Sequence, residues 1–207
     1  MISGIWGKKI GMAQVFENDK VIPVTVIDVS DWYITGIKTE DRDGYNAIQV
    51  GRVKKRYSGQ RPTVDWIKKA SMYFEVLREI PVDKLPAGIA IGKPATFYNE
   101  MQKGELVNVF GVTRGRGFAG VVKRWRFGGP PASHGATMGK MPGSLSFMRT
   151  HGRVIKGKKL PGHMGAVRRV MKNLDVVNIE KDGSIVLVKG SVPGHSGSLL
   201  FLQRKAK

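Results

Sequence analysis

The chain has 207 residues and a formal net charge of +19 at pH 7, from 35 Lys and Arg against 16 Asp and Glu. It contains no cysteine, which excludes a disulfide framework and a thiolate metal site. The sequence shows neither the apolar core of a signal peptide nor the roughly 18 apolar residues of a membrane span. The strong positive charge predicts nucleic acid as the partner, ahead of an anionic membrane.

The first half of the chain is predicted to form short strands separated by turns. Strand patterns occur at residues 14–16, 21–29, 32–38 and 45–50. Pro23 indicates an edge position or a bulge, because proline cannot donate to a sheet. Residues 64–70 predict a short helix, whereas residues 73–80 fit either a strand or a helix.

The second half returns to strand patterns on either side of a glycine-rich segment. Strands are expected at residues 106–112, 174–179, 185–189 and 199–203, with a hairpin at Asp182-Gly183. Residues 118–125 have the length of two helical turns. Short strands with turns at this spacing predict a mainly β fold built on a small closed β-barrel, with residues 52–100 as a less regular appended subdomain.

Positive charge is concentrated in residues 106–174, which contain 14 Lys and Arg and not one Asp or Glu. An even spread would place about five acidic residues there, and their absence indicates a surface surrounded by negative charge. The window also holds 13 Gly and 4 Pro, and residues 127–161 lack any apolar period. We therefore predict a barrel domain of residues 1–113 and 166–207, and a long basic glycine-rich loop extension, residues 114–165, shaped by a polyanion.

Residues 115–120, GRGFAG, match the G-x-G-x-x-G pattern of dinucleotide-binding folds. That interpretation also requires an acidic residue about 20 positions further on and repeated βαβ units, and the sequence offers neither. A flexible glycine loop is the plain alternative. The interpretation we favour places backbone N–H groups at a helix start against RNA phosphates, with Arg114 and Arg116 adding charge.

Residues 123–127, KRWRF, interleave cations with aromatic rings. Trp125 either stacks on a base or anchors the base of the loop to the barrel, and both alternatives stay open. His134, His151 and His163 lack metal-ligand spacing and a nearby carboxylate, so we expect no metal site, no catalytic residue and no cofactor. Residues 54–56, KKR, are either a second RNA contact or a solvated charge run, and the charge run is the simpler interpretation.

Several motifs follow one another in order along nearly the whole chain. They are GKKIGM at 7–12, QVF at 14–16, RGRGFAGVVKRW at 114–125, SHGA at 133–136, PGS at 142–144, GRV at 152–154, KGKK at 156–159, GHMG at 162–165, VKG at 188–190 and VPG at 192–194. In this order they resemble the large-subunit ribosomal protein L-three family of bacterial or organellar type. Trp6 and Ala13 depart from the usual opening, and residues 52–100 match only loosely.

The resemblance implies a β-barrel of the translation-factor type on the outer face of the large subunit, with a loop threading into 23S-type rRNA toward the peptidyl-transferase centre. It implies binding near the 3′ end of that rRNA early in assembly, on a cytoplasmic or organellar ribosome, beside the ribosomal proteins L-fourteen and L-nineteen. Many bacterial relatives carry a methylated glutamine followed by TPG near the loop tip. Here Arg149 and the sequence THG occupy those positions.

We therefore predict a structural rRNA-binding protein with no catalysis, no small-molecule substrate and no membrane partner. The residues assigned to RNA binding are Arg114, Arg116, Lys123, Arg124, Trp125, Arg126, His134, Lys140, Arg149, Arg153, Lys156, Lys158, Lys159, His163, Arg168 and Arg169. The alternatives are a nucleotide-dependent enzyme and a free DNA-architectural protein. The missing acidic partner counts against the first, and the lack of a recognition helix or dimerisation face counts against the second.

Overall fold

The computed structural model describes residues 3–17, 19–83, 85–86, 88–146, 152–180 and 182–205. Its strands are β1 Gly4–Glu17, β2 Lys20–Asp28, β3 Trp32–Lys38, β4 Ala47–Val53, β5 Phe74–Pro81, β6 Leu106–Val112, β7 Phe118–Ala119, β8 Gly162–His163, β9 Arg168–Glu180, β10 Ile185–Lys189 and β11 Leu199–Arg204. Its helices are α1 Glu40–Asp43, α2 Val64–Lys68, α3 Ala70–Tyr73 and α4 Val121–Trp125, with 3-10 turns at Lys55–Tyr57 and Phe97–Glu100. The predicted mainly β class is confirmed, and none of the described helices has the length and apolar character needed to cross a membrane.

The chain divides into two compact units. Met1–Val112 and Arg168–Lys207 form the first, here called the barrel unit, and Thr113–Val167 form the second, here called the arm. In the barrel unit six strands pair antiparallel in the order β1-β11-β6-β9-β10-β2, and β2 pairs with β1 to close the ring.

Alternation along the barrel strands places one set of side chains in the core. Successive residues of a strand point to opposite faces, so every second residue of β6, β10 and β11 can face inward. The inward residues that are fully buried are Val107, Val109, Val186, Val188, Leu200 and Leu202. Three strands that the sequence pattern locates therefore supply six of the thirteen buried residues of this core, and β1, β2, β9 and the connecting segments supply the other seven.

A second antiparallel sheet, in the order β3-β4-β5, belongs to the same unit. Trp32, Ile48 and Ile80 form its buried apolar face, in one cluster with Phe201 of β11. The sequence prediction assigned the third and fourth strands to the barrel domain, whereas in the structure they belong to this separate sheet. The short helix predicted at residues 64–70 is present as α2, and residues 73–80, which fitted either a strand or a helix, form β5. Alternation specifies that a segment is a strand, but it does not specify the strand with which it pairs.

Lys9 is a buried cation on β1. Its Nζ atom donates hydrogen bonds to the carbonyl oxygens of Val192 (3.1 Å) and Gly194 (3.2 Å), which lie between β10 and β11. The backbone of Lys9 also pairs with this loop, because its N–H donates to the carbonyl of Ser198 and its carbonyl accepts from Gly197. The lysine therefore fixes the loop to the barrel wall.

We expect Lys9→Met to lower the free energy of unfolding by about 1.5–3 kcal/mol, because a buried and a partly buried carbonyl oxygen lose their charged donor. Lys8→Met is the matched control. Lys8 is more exposed and forms a surface ion pair with Glu75 (3.1 Å), a type of pair worth roughly 0–1 kcal/mol. Urea unfolding of both variants measures the difference, and equal losses would contradict the role assigned to Lys9.

Candidate nucleic-acid interface

The arm begins with two antiparallel segments that hold each other through backbone hydrogen bonds. The N–H of Thr113 donates to the carbonyl of Val167 (3.0 Å), and the N–H of Arg116 donates to the carbonyl of Met164 (2.8 Å). The N–H of Met164 in turn donates to the carbonyl of Gly117 (2.9 Å), and β7 pairs with β8 further along. The glycine-rich motif is therefore one side of a paired stem.

The motif at residues 115–120 does not build a dinucleotide fold in the part of the arm that the structure describes. β7 has two residues and α4 has five, and Arg126 ends the helix in the left-handed conformation (φ +60°). So few aligned peptide dipoles make a weak anion site, so the start of this helix is poorly suited by itself to the phosphate contact that the sequence analysis expected there. Gly117 (φ +61°) supplies backbone freedom at the turn into β7.

Trp125 and Arg124 hold the two sides of the arm together. The Nε1 atom of Trp125 and the Nη1 atom of Arg124 both donate to the carbonyl oxygen of Leu160, at 2.9 and 2.8 Å. The guanidinium of Arg124 lies 5.0 Å from the Trp125 ring centroid, and the ammonium of Lys159 lies 6.0 Å from it. Trp125 thus anchors a segment of its own unit, and the residue as a whole is 40% exposed.

Beyond α4 the arm has no helix or strand in residues 126–146 and 152–161. Turns and single contacts give these residues their shape. Gly157 (φ +80°) forms one such turn, and the next residue, Lys158, donates from Nζ to the carbonyl oxygen of Ser144 (2.6 Å). Lys158 therefore links two distant parts of the arm and is committed to a contact within the protein.

Most of the residues assigned to RNA binding lie on the surface. The exposed ones are Arg114, Arg116, Lys123, Trp125, Arg126, His134, Lys140, Arg153, Lys156, Lys159, His163, Arg168 and Arg169. Arg124 and Lys158 are half-buried, because they donate to carbonyl oxygens of the arm. Arg149 lies outside the described residues. Arg168 and Arg169 belong to β9, so the assigned set is divided between the arm and the barrel unit.

The positive charge of the arm has no negative partner among the described residues. The ion pairs found there all lie in the barrel unit, for example Arg204–Glu105 (2.6 Å) and Lys103–Glu17 (2.8 Å). The reason is composition, since residues 113–167 contain 11 Lys and Arg and no Asp or Glu. Exposed like charges repel one another, and a polyanion that neutralises them removes that repulsion.

Sequence reasoning missed two exposed apolar residues of the arm and one exposed cation of the barrel unit. The side chains of Phe118 and Met141 are 80% and 65% exposed, and Lys172 is an exposed cation on β9. Alternation in β7 gives a signal for Phe118, because its neighbour Ala119 is buried and the two must face opposite ways. An exposed ring among cations is suited to stacking on a base.

The chain combines an antiparallel β-barrel with an arm that contains no carboxylate side chain, and this combination is suited to binding a polyanion. The described residues contain no cluster of His, Cys, Asp or Glu that could hold a metal ion. Residues 46–185 match the family described as ribosomal protein L3. Over the full length of both chains, the protein is 40% identical to the large ribosomal subunit protein uL3 of Syntrophotalea carbinolica and 39% identical to that of Dehalococcoides mccartyi.

The chain therefore belongs to the ribosomal protein L3 family. Its role in the cell is that of a structural constituent of the large ribosomal subunit, within a ribonucleoprotein that carries out translation. Both relatives are proteins of the large ribosomal subunit, which fits the prediction of a structural role for this chain.

Proposed function

We propose that this protein binds 23S-type rRNA directly through its arm and helps to organise that RNA early in the assembly of the large subunit. The observation that carries the proposal is the set of exposed arm cations, which have no negative partner among the described residues. Membership of the L3 family supports RNA as the polyanion, because the protein is a constituent of an RNA-based particle.

The mechanism is the neutralisation of phosphate charge where RNA segments crowd together. Lys and Arg side chains replace the counterions of the backbone, and the release of those ions drives binding. Because phosphate contacts fix position but carry little sequence information, shape complementarity has to supply specificity. Arg168 and Arg169 are further exposed cations, and they belong to β9 of the barrel unit, whose closed sheet fixes their backbone.

A salt titration tests this mechanism. With roughly 6–10 phosphate contacts, the slope of log K against log salt concentration for an rRNA fragment is expected to be about −4 to −9, at 0.7–0.9 per contact. Filter binding between 50 and 300 mM salt measures the slope, and duplex DNA of equal length is the competitor control. A slope flatter than about −2, or equal competition by DNA, would exclude direct recognition of rRNA through the basic arm.

The finer proposal concerns where the arm binds. We propose that it extends toward the peptidyl-transferase centre and that the protein binds near the 3′ end of the rRNA, with L-fourteen and L-nineteen as neighbours. The resemblance of the arm motifs to the family supports this placement. Chain length permits it as well, since an extended chain spans at most about 3.3–3.6 Å per residue and the stretch from 128 to 149 can reach roughly 70 Å.

Arg149 tests the proposed placement, although it lies outside the described residues. We expect Arg149→Glu to impair maturation of the large subunit or to change sensitivity to drugs that act at the peptidyl-transferase centre, because it puts a carboxylate among phosphates. Arg149→Gln is the matched control, since many bacterial relatives have glutamine there, and it should behave as wild type. If subunits carrying Arg149→Glu mature normally and chemical probing shows unchanged rRNA near the centre, the placement is wrong.

A further inference from the structure

A second concentration of positive charge lies in the barrel unit, at residues 54–69, KKRYSGQRPTVDWIKK. This segment holds six Lys and Arg and one acidic residue, Asp65, a net charge of +5. The whole barrel unit, residues 1–112 and 168–207, has 24 basic and 16 acidic residues, a net charge of +8. Most of the excess charge of that unit is therefore carried by one short segment.

Three aromatic rings give this segment a fixed shape. The rings of Trp66 and Tyr73 stack with centroids 4.5 Å apart, and Tyr57 lies 5.2 Å from the first and 5.1 Å from the second. Lys54 completes the arrangement, because its Nζ atom donates to the carbonyl oxygens of Ser71 (2.7 Å) and Met72 (2.8 Å) at the end of α3. Charged side chains that only contact solvent do not require the packed rings and the Lys54 hydrogen bonds that fix the shape of this segment.

The remaining cations of the segment are exposed. They are Lys55, Arg56, Arg61, Lys68 and Lys69. None of them forms an ion pair among the described residues, whereas other cations of the same unit do, as in Arg52–Asp28 and Lys38–Asp43. The guanidinium of Arg56 also lies 4.6 Å from the Tyr57 ring centroid, a contact that limits the freedom of a charged side chain before any partner binds.

We propose that residues 54–73 form a second RNA-binding surface, here called the aromatic platform, which contacts phosphates of an rRNA segment other than the one bound by the arm. The inference rests on the proposed function, because it takes RNA as the partner. An acidic protein is the other candidate, but the central parts of protein interfaces are depleted of Lys. Five exposed cations on a small rigid surface instead suit the displacement of counterions from a phosphate backbone.

The test compares two full-length variants with the same change in charge. The platform variant carries Lys55→Gln, Arg56→Gln, Lys68→Gln and Lys69→Gln, which leave the three rings and Lys54 intact. The control variant carries four substitutions of other barrel-unit cations, Lys20→Gln, Lys93→Gln, Lys189→Gln and Lys205→Gln. Binding to protein-free large-subunit rRNA is measured at about 0.15 M salt, and hydroxyl-radical footprinting shows which nucleotides each variant protects.

We expect the platform variant to bind about 100-fold more weakly, with a salt slope less steep by about 2–3, and the control to change by less than about threefold. The platform variant should lose protection of one set of nucleotides and keep the set that depends on the arm cations. A further variant, with Lys55→Arg, Lys68→Arg and Lys69→Arg, should retain binding because it retains charge.

Three outcomes would contradict the inference, and only one of them would also contradict the proposed function. Equal binding by the platform and control variants would show that the platform does not contact RNA, while the arm remains the interface. Normal binding of protein-free rRNA combined with failed incorporation into subunits would identify an acidic protein as the partner. Absence of salt-dependent binding by the wild-type chain would instead remove the proposed function itself, and the inference with it.

Discussion

Neutralising five exposed arm cations is expected to weaken binding to large-subunit rRNA by about 10³-fold at 0.15 M salt. The substitutions are Arg114→Gln, Arg116→Gln, Lys123→Gln, Arg126→Gln and Lys156→Gln. Each phosphate contact releases about 0.7–0.9 of a counterion, which at this salt concentration corresponds to roughly a fourfold to fivefold gain in affinity per contact. Arg124 and Lys158 are left unchanged, because they hold the arm together through Leu160 and Ser144.

The control for this variant has the same number of charges removed from the barrel unit. It carries Lys20→Gln, Lys93→Gln, Lys103→Gln, Lys189→Gln and Lys205→Gln, and its affinity should change by less than about tenfold, an effect of net charge alone. Filter binding and the salt slope measure both variants, and circular dichroism verifies that each is folded. If the two variants lose affinity equally, overall charge and not the arm determines binding.

The charge of the arm could be predicted from composition because it depends on no pairing. Residues 113–167 lack Asp and Glu, so no fold of the arm could supply a negative partner from within it. The roles of individual cations could not be predicted in the same way. Arg124 and Lys158 were assigned to RNA, yet each donates to a carbonyl oxygen more than ten positions away along the chain, and no local pattern encodes such a partner.

The strands whose bounds were predicted correctly from the sequence are short segments of alternating apolar and polar residues that lie between turns. β3, β6 and β10 coincide with the predicted segments, because apolar residues at every second position specify a half-buried strand. The hairpin between β9 and β10 also follows from its Asp-Gly sequence, and Ser184 (φ +51°) occupies the left-handed region there. These features are local, so one sequence suffices to reveal them.

β1 shows where local reasoning fails. The strand begins at Gly4, well before the predicted segment at residues 14–16, and its first half contains glycines and two lysines and no apolar alternation. Pairing with β11 makes it a strand, and Gly7 is required because a Cβ there would lie 2.6 Å from a methyl carbon of Ile27. β1 therefore forms a strand because of its pairing with residues far away in the sequence, and the β-propensity of its own residues does not predict such pairing.

Gly165 is expected to be the most sensitive glycine of the arm stem. It lies at φ +78°, and a Cβ at this position would overlap the carbonyl oxygen of Arg114 on the opposite side of the stem. Positive φ alone is tolerated nearby, since Ala166 adopts φ +51°. The backbone carbonyl makes the difference, because it cannot move aside as a flexible side chain can.

We expect Gly165→Ala to destabilise the stem by roughly 2–4 kcal/mol, from strain in the left-handed region together with steric overlap.

Gly117→Ala is the matched control, because Gly117 also has positive φ (+61°) but no atom within 4 Å of the position a Cβ would take. It should cost about 1 kcal/mol, the intrinsic penalty of the left-handed conformation for alanine. Amide hydrogen exchange at Arg116 and Met164, whose N–H groups cross the stem, reports the opening of the stem directly. We expect Gly165→Ala to accelerate that exchange by at least about 30-fold and Gly117→Ala by about fivefold, at 1.4 kcal/mol per tenfold, with β6 and β11 protected as in the wild type. Equal acceleration by the two variants would mean that φ, and not the Arg114 carbonyl, requires glycine at position 165.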